Sequence, residues 1–184
     1  MTIRDFPFKD GRYYCFQQKG WIAILDDDDI IVESVFKEAA KLAASNPDLG
    51  AILCNWQEME EETGELIERE FQPICYADLC FSPTSCHQLA LVNCQKIPPY
   101  LFEVGHDLEF LWDWLFTAGA IMNAGALHLF KVGYYWNQWK GQDHIVKQDM
   151  FLRNADIVRT TLNELMKEKK LQSFDTIKIV KDSK

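Results

Sequence analysis

The stretch Trp21-Ile22-Ala23-Ile24-Leu25-Asp26-Asp27-Asp28-Asp29-Ile30-Ile31 decides how the rest of the chain is read. Trp21 to Leu25 have the length and β-branched content of a buried strand, and they stop at a run of carboxylates, Asp26 to Asp29. A buried strand that ends in acids puts those acids at the edge of a sheet, where the ligands of α/β proteins collect. At about 4 Å apart, two carboxylates repel by about 1 kcal/mol in water and by several-fold more at a partly desolvated edge, so a bound cation is the direct compensation. Oxygen ligands select a hard ion, Mg2+ or Mn2+, of the kind that clamps a substrate phosphate. An acidic run is also commonly a solvated loop or a helix N-terminus, where carboxylates favour the positive end of the dipole. The apolar run directly upstream is what a solvated loop does not need.

Downstream, Ser34 reads as the N-cap of a helix to about Ser45, because Val35, Phe36, Ala39, Ala40, Leu42 and Ala43 recur at helical spacing and Asn46-Pro47 ends the pattern. Strand, acids and helix form one βα unit. Leu49 to Trp56 is the next buried strand, and a turn at Thr63-Gly64 joins it to a more exposed strand over Leu66 to Phe71; Glu58, Glu60, Glu61 and Glu62 on that hairpin read as solvated. Residues 72–100, with Pro73, Pro83 and the Pro98-Pro99 pair, read as loop-rich ground with a short helix near Cys86 to Asn93, a place where an acceptor is chosen. Upstream, Arg12 to Phe16 between turn signals is a short strand or a helical turn.

The second informative stretch is Phe102 to Gly119. Leu108, Leu111, Trp114, Leu115 and Ala118 share a helical face that Gly119 ends, which puts His106 and Asp107 in the first turn after a flexible Gly105. An Asp there also serves as a cap, worth about 1 kcal/mol. Ala120 to Tyr135 reads as strand material interrupted at Gly125. It leads into Trp136-Asn137-Gln138-Trp139-Lys140-Gly141-Gln142-Asp143-His144, aromatics mixed with polar groups. Trp136 and Trp139 either stack on a sugar ring or form a wet-edged core, and both readings stay open. Gln148 to Lys170 is an amphipathic helix on Phe151, Ile157, Val158, Leu162 and Leu165, and Phe174 to Val180 is a final short strand.

With 184 residues, 48% of them hydrophobic and 26% charged, the chain is expected to form a single domain over 1–184: a lead-in over 1–20, a core over 21–145 and a C-terminal helix and strand over 146–184. A net charge of -9 argues against nucleic acid or an anionic membrane as partner. The charged N-terminus lacks a signal-peptide core and no apolar run is long enough to span a bilayer, so a cytoplasmic protein without a transmembrane segment is expected. Cys15, Cys54, Cys75, Cys80, Cys86 and Cys94 are then expected to be reduced, and the cluster of four thiols with His87 contains no CxxC pair, so buried thiols are expected rather than a structural zinc.

Together these pieces resemble a family-2-type glycosyltransferase of the GT-A fold. Leu25-Asp26-Asp27-Asp28-Asp29 fits the family's LDxDD motif (a DxD motif), and Gly105-His106-Asp107-Leu108-Glu109-Phe110-Leu111-Trp112 approximates its EDxEFxxR helix opening, at the family's spacing of about eighty residues. The segment around Trp136 to His144 is similar to the one that closes the donor site, and the resemblance spans roughly residues 12–150. It implies a GT-A-like (Rossmann-like) mixed sheet flanked by helices. It implies also a metal-assisted, inverting transfer from a nucleotide-diphosphate sugar, UDP-type, to a hydroxyl of a glycan or other acceptor. By the same resemblance Asp26 contacts the donor's ribose or sugar, Asp28 with Asp29 holds Mn2+ or Mg2+ on the diphosphate, His144 adds a metal ligand, and Asp107 is the base for the acceptor hydroxyl.

The sequence departs from the family in two places. His106 replaces the usual Glu beside Asp107, where it can supply a hydrogen bond, a metal ligand or an acceptor contact. Family members also open with two further strands that bind the nucleotide base, and the roughly twenty residues before Trp21 contain neither. The implied fold is therefore N-terminally truncated: a fragment of a longer enzyme, or a domain that lost half its nucleotide pocket or borrows it from a partner chain. Two competing readings follow, a catalytically silent GT-A-like binding or assembly module, and a metal-dependent phosphohydrolase drawing on His87, His128 or His144.

Overall fold

A computed structural model describes residues 19–24, 29–60, 63–69, 75–81, 90–138, 147–172 and 179–181. The apolar runs become a seven-stranded mixed sheet: β1 (Trp21–Ala23), β2 (Ile30–Ile31), β3 (Ala51–Glu60), β4 (Leu66–Arg69), β5 (Ala90–Asn93), β6 (Ala126–Gln138) and β7 (Ile179–Lys181). The order is β1-β5-β3-β6-β2, with β4 beside β3 and β7 beside β6. At the centre β3 and β6 run parallel from Ala51↔Ala126 to Glu60↔Gln138, with the register shifting around Asn55. Because β5 is antiparallel to both β1 and β3, the strands β1, β3 and β6 all point the same way. They run toward one edge of the sheet, called the carboxyl edge below, although β1 stops at Ala23, level with Ile52 near the start of β3.

The helices are α1 (Glu33–Ser45), α2 (Tyr76–Phe81), α3 (Pro99–His106), α4 (Trp112–Ala124) and α5 (Gln148–Glu168). Alternation along β3 divides the core. Ile52, Cys54 and Trp56 pack with Val35, Ala39 and Ala43 of α1 on one face. Ala51 and Leu53 pack on the other with Leu79, Leu101, Trp114, Leu115, Ile121, Val158 and Leu162 from the remaining helices. The result is an α/β architecture, a mixed sheet with helices on both faces. The strands β1 and β2 flank the acidic run, whose last residue, Asp29, lies just ahead of β2, and α1 follows.

Four local expectations are corrected. Ser34 is not the cap of α1: it lies inside the helix, whose first carbonyl is that of Val32, accepting from Val35 N at 3.0 Å and Phe36 N at 3.0 Å. Val32 N in turn donates to Gly133 O at 2.9 Å, so pairing with β6, rather than a side-chain cap, fixes where α1 begins. Ala90 to Asn93 form a strand and not the end of a helix; four apolar-rich residues buried on both faces carry no period that separates the two states. The helix expected to end at Gly119 continues to Ala124 and stops at Gly125, which has φ 76°. Gly119 is instead a contact point, where a Cβ would strike the Leu101 side chain of α3.

The fourth correction concerns Asp107. It does not open a helix but follows the last residue of α3, its N–H donating to Val104 O at 3.1 Å. The chain then turns through 107–111 before α4 starts at Trp112, with Leu111 held at φ 67°. A leucine in that left-handed region costs about 1–2 kcal/mol, which the packing of α3 against α4 must offset. That packing is close: a Cβ on Gly105 would come within 2.6 Å of the Phe116 ring, and Phe102 and Phe116 stand 4.8 Å apart.

Gly50 joins this packing to the sheet. Its N–H donates to Gly125 O at 3.0 Å, and a Cβ there would overlap the backbone carbonyl of Ala120, which cannot swing away. Gly50→Ala is therefore expected to lower stability by about 3 kcal/mol, the upper part of the usual range for overpacking, read as a fall in the urea midpoint at an unchanged slope.

Candidate functional site at the carboxyl edge

The chain leaves β1 at Ala23, level with Ile52 near the start of β3 and heading toward the carboxyl edge, and re-enters the sheet at Ile30 and Ile31, which pair with Tyr135 and Tyr134 near the end of β6. The two flanks of the acidic run are thus fixed at different levels, at the two ends of the strand order. Asp26 and Asp28, expected to bind donor and metal, lie outside the described residues, as do Trp139 and His144. Asp29 is described, half-buried immediately before β2.

Ala124 and Gly125 lead into the start of β6, and Asn123 Nδ2 donates to Lys96 O at 2.9 Å, so α4 finishes at the amino edge. Its thirteen residues rise about 20 Å, which separates the α3–α4 corner and the 107–111 turn from that end. At the corner His106 Nδ1–H donates to Asp107 Oδ1 at 3.0 Å. The Asp107 side chain is 86% exposed and its neighbour His106 33%. A carboxylate at the C-terminal end of a helix opposes the dipole instead of complementing it, so the capping role open to Asp107 in the sequence is not the one the fold gives it.

The turn is held from α5, a contribution not read from the sequence. Asn154 Oδ1 accepts from Phe110 N at 2.9 Å, Lys147 Nζ pairs with Glu109 Oε1 at 2.9 Å and lies 5.6 Å from the Phe110 ring centroid, and Phe110 and Phe151 stand 6.4 Å apart. The available signal was an asparagine in the apolar stripe of an amphipathic helix, between Phe151 and Ala155–Val158.

Trp136 is set apart from this corner. It packs with the α1 face of the core, 5.6 Å from Trp56 in an edge-to-face pair, whereas α3 and α4 lie on the other face of the sheet. These contacts give one side of a partly buried ring a place in the core. His128 is also removed from the edge: it is fully buried on β6, and its Nε2–H donates to Asn55 Oδ1 of β3 at 2.8 Å. Burial likewise pushes the thiols of Cys80 and Cys94 up to about 11 and that of Cys54 to about 12, so these act as small core groups; Cys86 and His87 lie outside the described residues. Among the described residues no three His, Cys, Asp or Glu side chains converge as a metal site.

No protein-family model and no curated protein matches this sequence. Among the described residues no helix is long and apolar enough to cross a membrane.

Burial lowers the His128 pKa from 6.5 to about 4. The unfolded chain therefore binds more protons than the folded one between those values. Stability contributed by neutral His128 is complete above about pH 6.5 and is lost as pH falls, by about 3 kcal/mol in all near pH 4. His128→Gln removes the titrating group while keeping a donor near Asn55. Urea unfolding from pH 7.5 to 4.5 is expected to show a shallower loss of stability for the variant than for the wild type.

Proposed function

We propose that the chain is a glycosyltransferase-type domain of GT-A form that moves a sugar from a UDP-type nucleotide-diphosphate donor to a hydroxyl of a glycan or other acceptor. What supports this best is the α/β frame around the two motifs: the acidic run lies between β1 and β2 of one mixed sheet, and about eighty residues on the exposed Asp107 carboxylate is paired with His106 at the end of α3. Ligand sites of α/β sheets form at the carboxyl ends of the strands.

In this reading the chain's own residues divide the work. Asp107, exposed and fixed through Oδ1 by His106, accepts the proton of the incoming hydroxyl, which then attacks the anomeric carbon from the side opposite the leaving diphosphate and inverts it. Asp26 orients the donor's ribose or sugar. The carboxylates of Asp28 and Asp29, with His144, would hold Mg2+ or Mn2+; an oxygen-rich donor set suits either ion, which when bound offsets negative charge on the departing diphosphate. Trp139 and His106 remain candidates for sugar or acceptor contact.

A second reading, a catalytically silent GT-A-like binding or assembly module, has its own observation. Among the described residues β1 is paired only with β5, so its outer edge can take a further strand from this chain or from a partner that completes a nucleotide pocket. The phosphohydrolase reading has less to stand on, since His128 is committed to Asn55 within the sheet.

Calorimetric titration with UDP and Mn2+ separates the first two. The wild type is expected to bind UDP only with the metal present, Asp28→Asn to weaken that binding at least about tenfold, and Asp107→Asn to retain it while slowing sugar transfer or donor hydrolysis by about 100-fold or more. Absence of metal-dependent UDP binding in the wild type rules out the donor site and leaves the silent module.

A further inference from the structure

We infer that Asn154 is a positioning residue for Asp107, setting the α3–α4 corner in its working conformation from across the helical layer; the inference rests on the glycosyl-transfer reading of that corner. Asn154 is only 7% exposed, on the side of α5 that otherwise presents Ala155, Val158, Leu162 and Leu165 to the core. A polar side chain in such a stripe costs desolvation free energy that an apolar residue would not, unless it is hydrogen-bonded. Its bond is to the backbone N–H of Phe110 at 2.9 Å, forty-four residues away, in a turn.

The turn itself needs outside support. Leu111 sits at φ 67°, a conformation leucine disfavours, and the segment is entered through Asp107 N to Val104 O at 3.1 Å and a long 3.4 Å contact from Leu108 N to Gly105 O. Without a partner for Phe110 N, α3 and α4 lose the contact that ties their junction to α5. Lys147 and Phe151 brace the same turn through Glu109 and Phe110, so three residues of α5 and its lead-in converge on it. Backbone strain held in place by contacts from another element is how a fold presents a side chain at a chosen position. The side chain presented by this turn is Asp107.

The test compares Asn154→Leu, which removes the accepting oxygen at similar volume, with Asn154→Asp, which keeps it, in the full-length protein. UDP and Mn2+ titration and UDP release from UDP-glucose, UDP-galactose and UDP-N-acetylglucosamine are measured for each, together with amide hydrogen exchange. Asn154→Leu is expected to slow turnover of whichever donor the wild type uses by about 100-fold at unchanged UDP affinity, since a displacement near 1 Å at a reacting group has that effect. Exchange is expected to rise at least about tenfold at 108–110 but not within Leu115 to Ile121, and Asn154→Asp to restore both readouts. A loss of turnover matched by a loss of UDP affinity, exchange at 108–110 unchanged by Asn154→Leu, or no recovery in Asn154→Asp overturns the inference. If the wild type neither binds UDP nor turns over a donor, the glycosyl-transfer reading falls, and the exchange comparison still decides whether Asn154 sets the corner. Should Asn154→Leu not fold, Lys147→Ala, which removes contacts to Glu109 and Phe110 only at the surface, is expected to loosen the same amides to a smaller degree; unchanged exchange there overturns the clamp.

Discussion

The parallel ladder between β3 and β6 is the constraint on which the rest depends. Two parallel strands cannot be joined by a tight turn, so the chain between Glu60 and Ala126 must travel back to the amino edge before β6 begins. It spends that length on the hairpin with β4, on β5, and on α2, α3 and α4 packed against one face. Because β1 reaches the ladder through β5, with two antiparallel steps, it ends up parallel to β3. One pairing thus gives β1, β3 and β6 a common direction, and it requires α4, which leads into β6, to finish at the amino edge.

The central ladder also explains the buried polar pair. Asn55 and His128 interrupt apolar strands where the β3–β6 register shifts, and their 2.8 Å bond satisfies groups that burial would otherwise penalise. Burial keeps the histidine neutral by disfavouring its charged form. The two histidines sit in opposite settings: His128 inside the sheet, His106 at the exposed corner beside Asp107.

The sequence was most legible where local pattern and tertiary role agree. Trp21 to Ala23 as strand, the helix ending at Ser45, the β3–β4 hairpin around Thr63-Gly64 and the amphipathic α5 all follow from period and turn chemistry. It was least legible between Phe102 and Ala124. Leu108 and Leu111 of the turn keep one helical period with Trp114 and Leu115 of α4, because turn and helix pack against the same core, and nothing local announces that Leu111 takes a left-handed conformation. Gly105 and Gly119 look like punctuation but are contacts between α3 and α4, visible only once Phe116 and Leu101 are in place. The candidate site shows the same division: the acidic run stands out in the sequence, whereas the bond from Phe110 N to Asn154, in the turn that follows Asp107, joins residues that only the fold brings together.

The central claim is that the acidic run and the α3–α4 corner serve one site on the carboxyl edge. Paramagnetic broadening by Mn2+ with UDP, followed on assigned backbone amides of the full-length protein, tests it most directly. Broadening is predicted at Asp29, at 106–111 and at the ends of β3 and β6, with Gly50, Lys96 and Asn123 at the amino edge left sharp. Broadening confined to the surroundings of Asp29, with the amides of 106–111 untouched, would contradict the account.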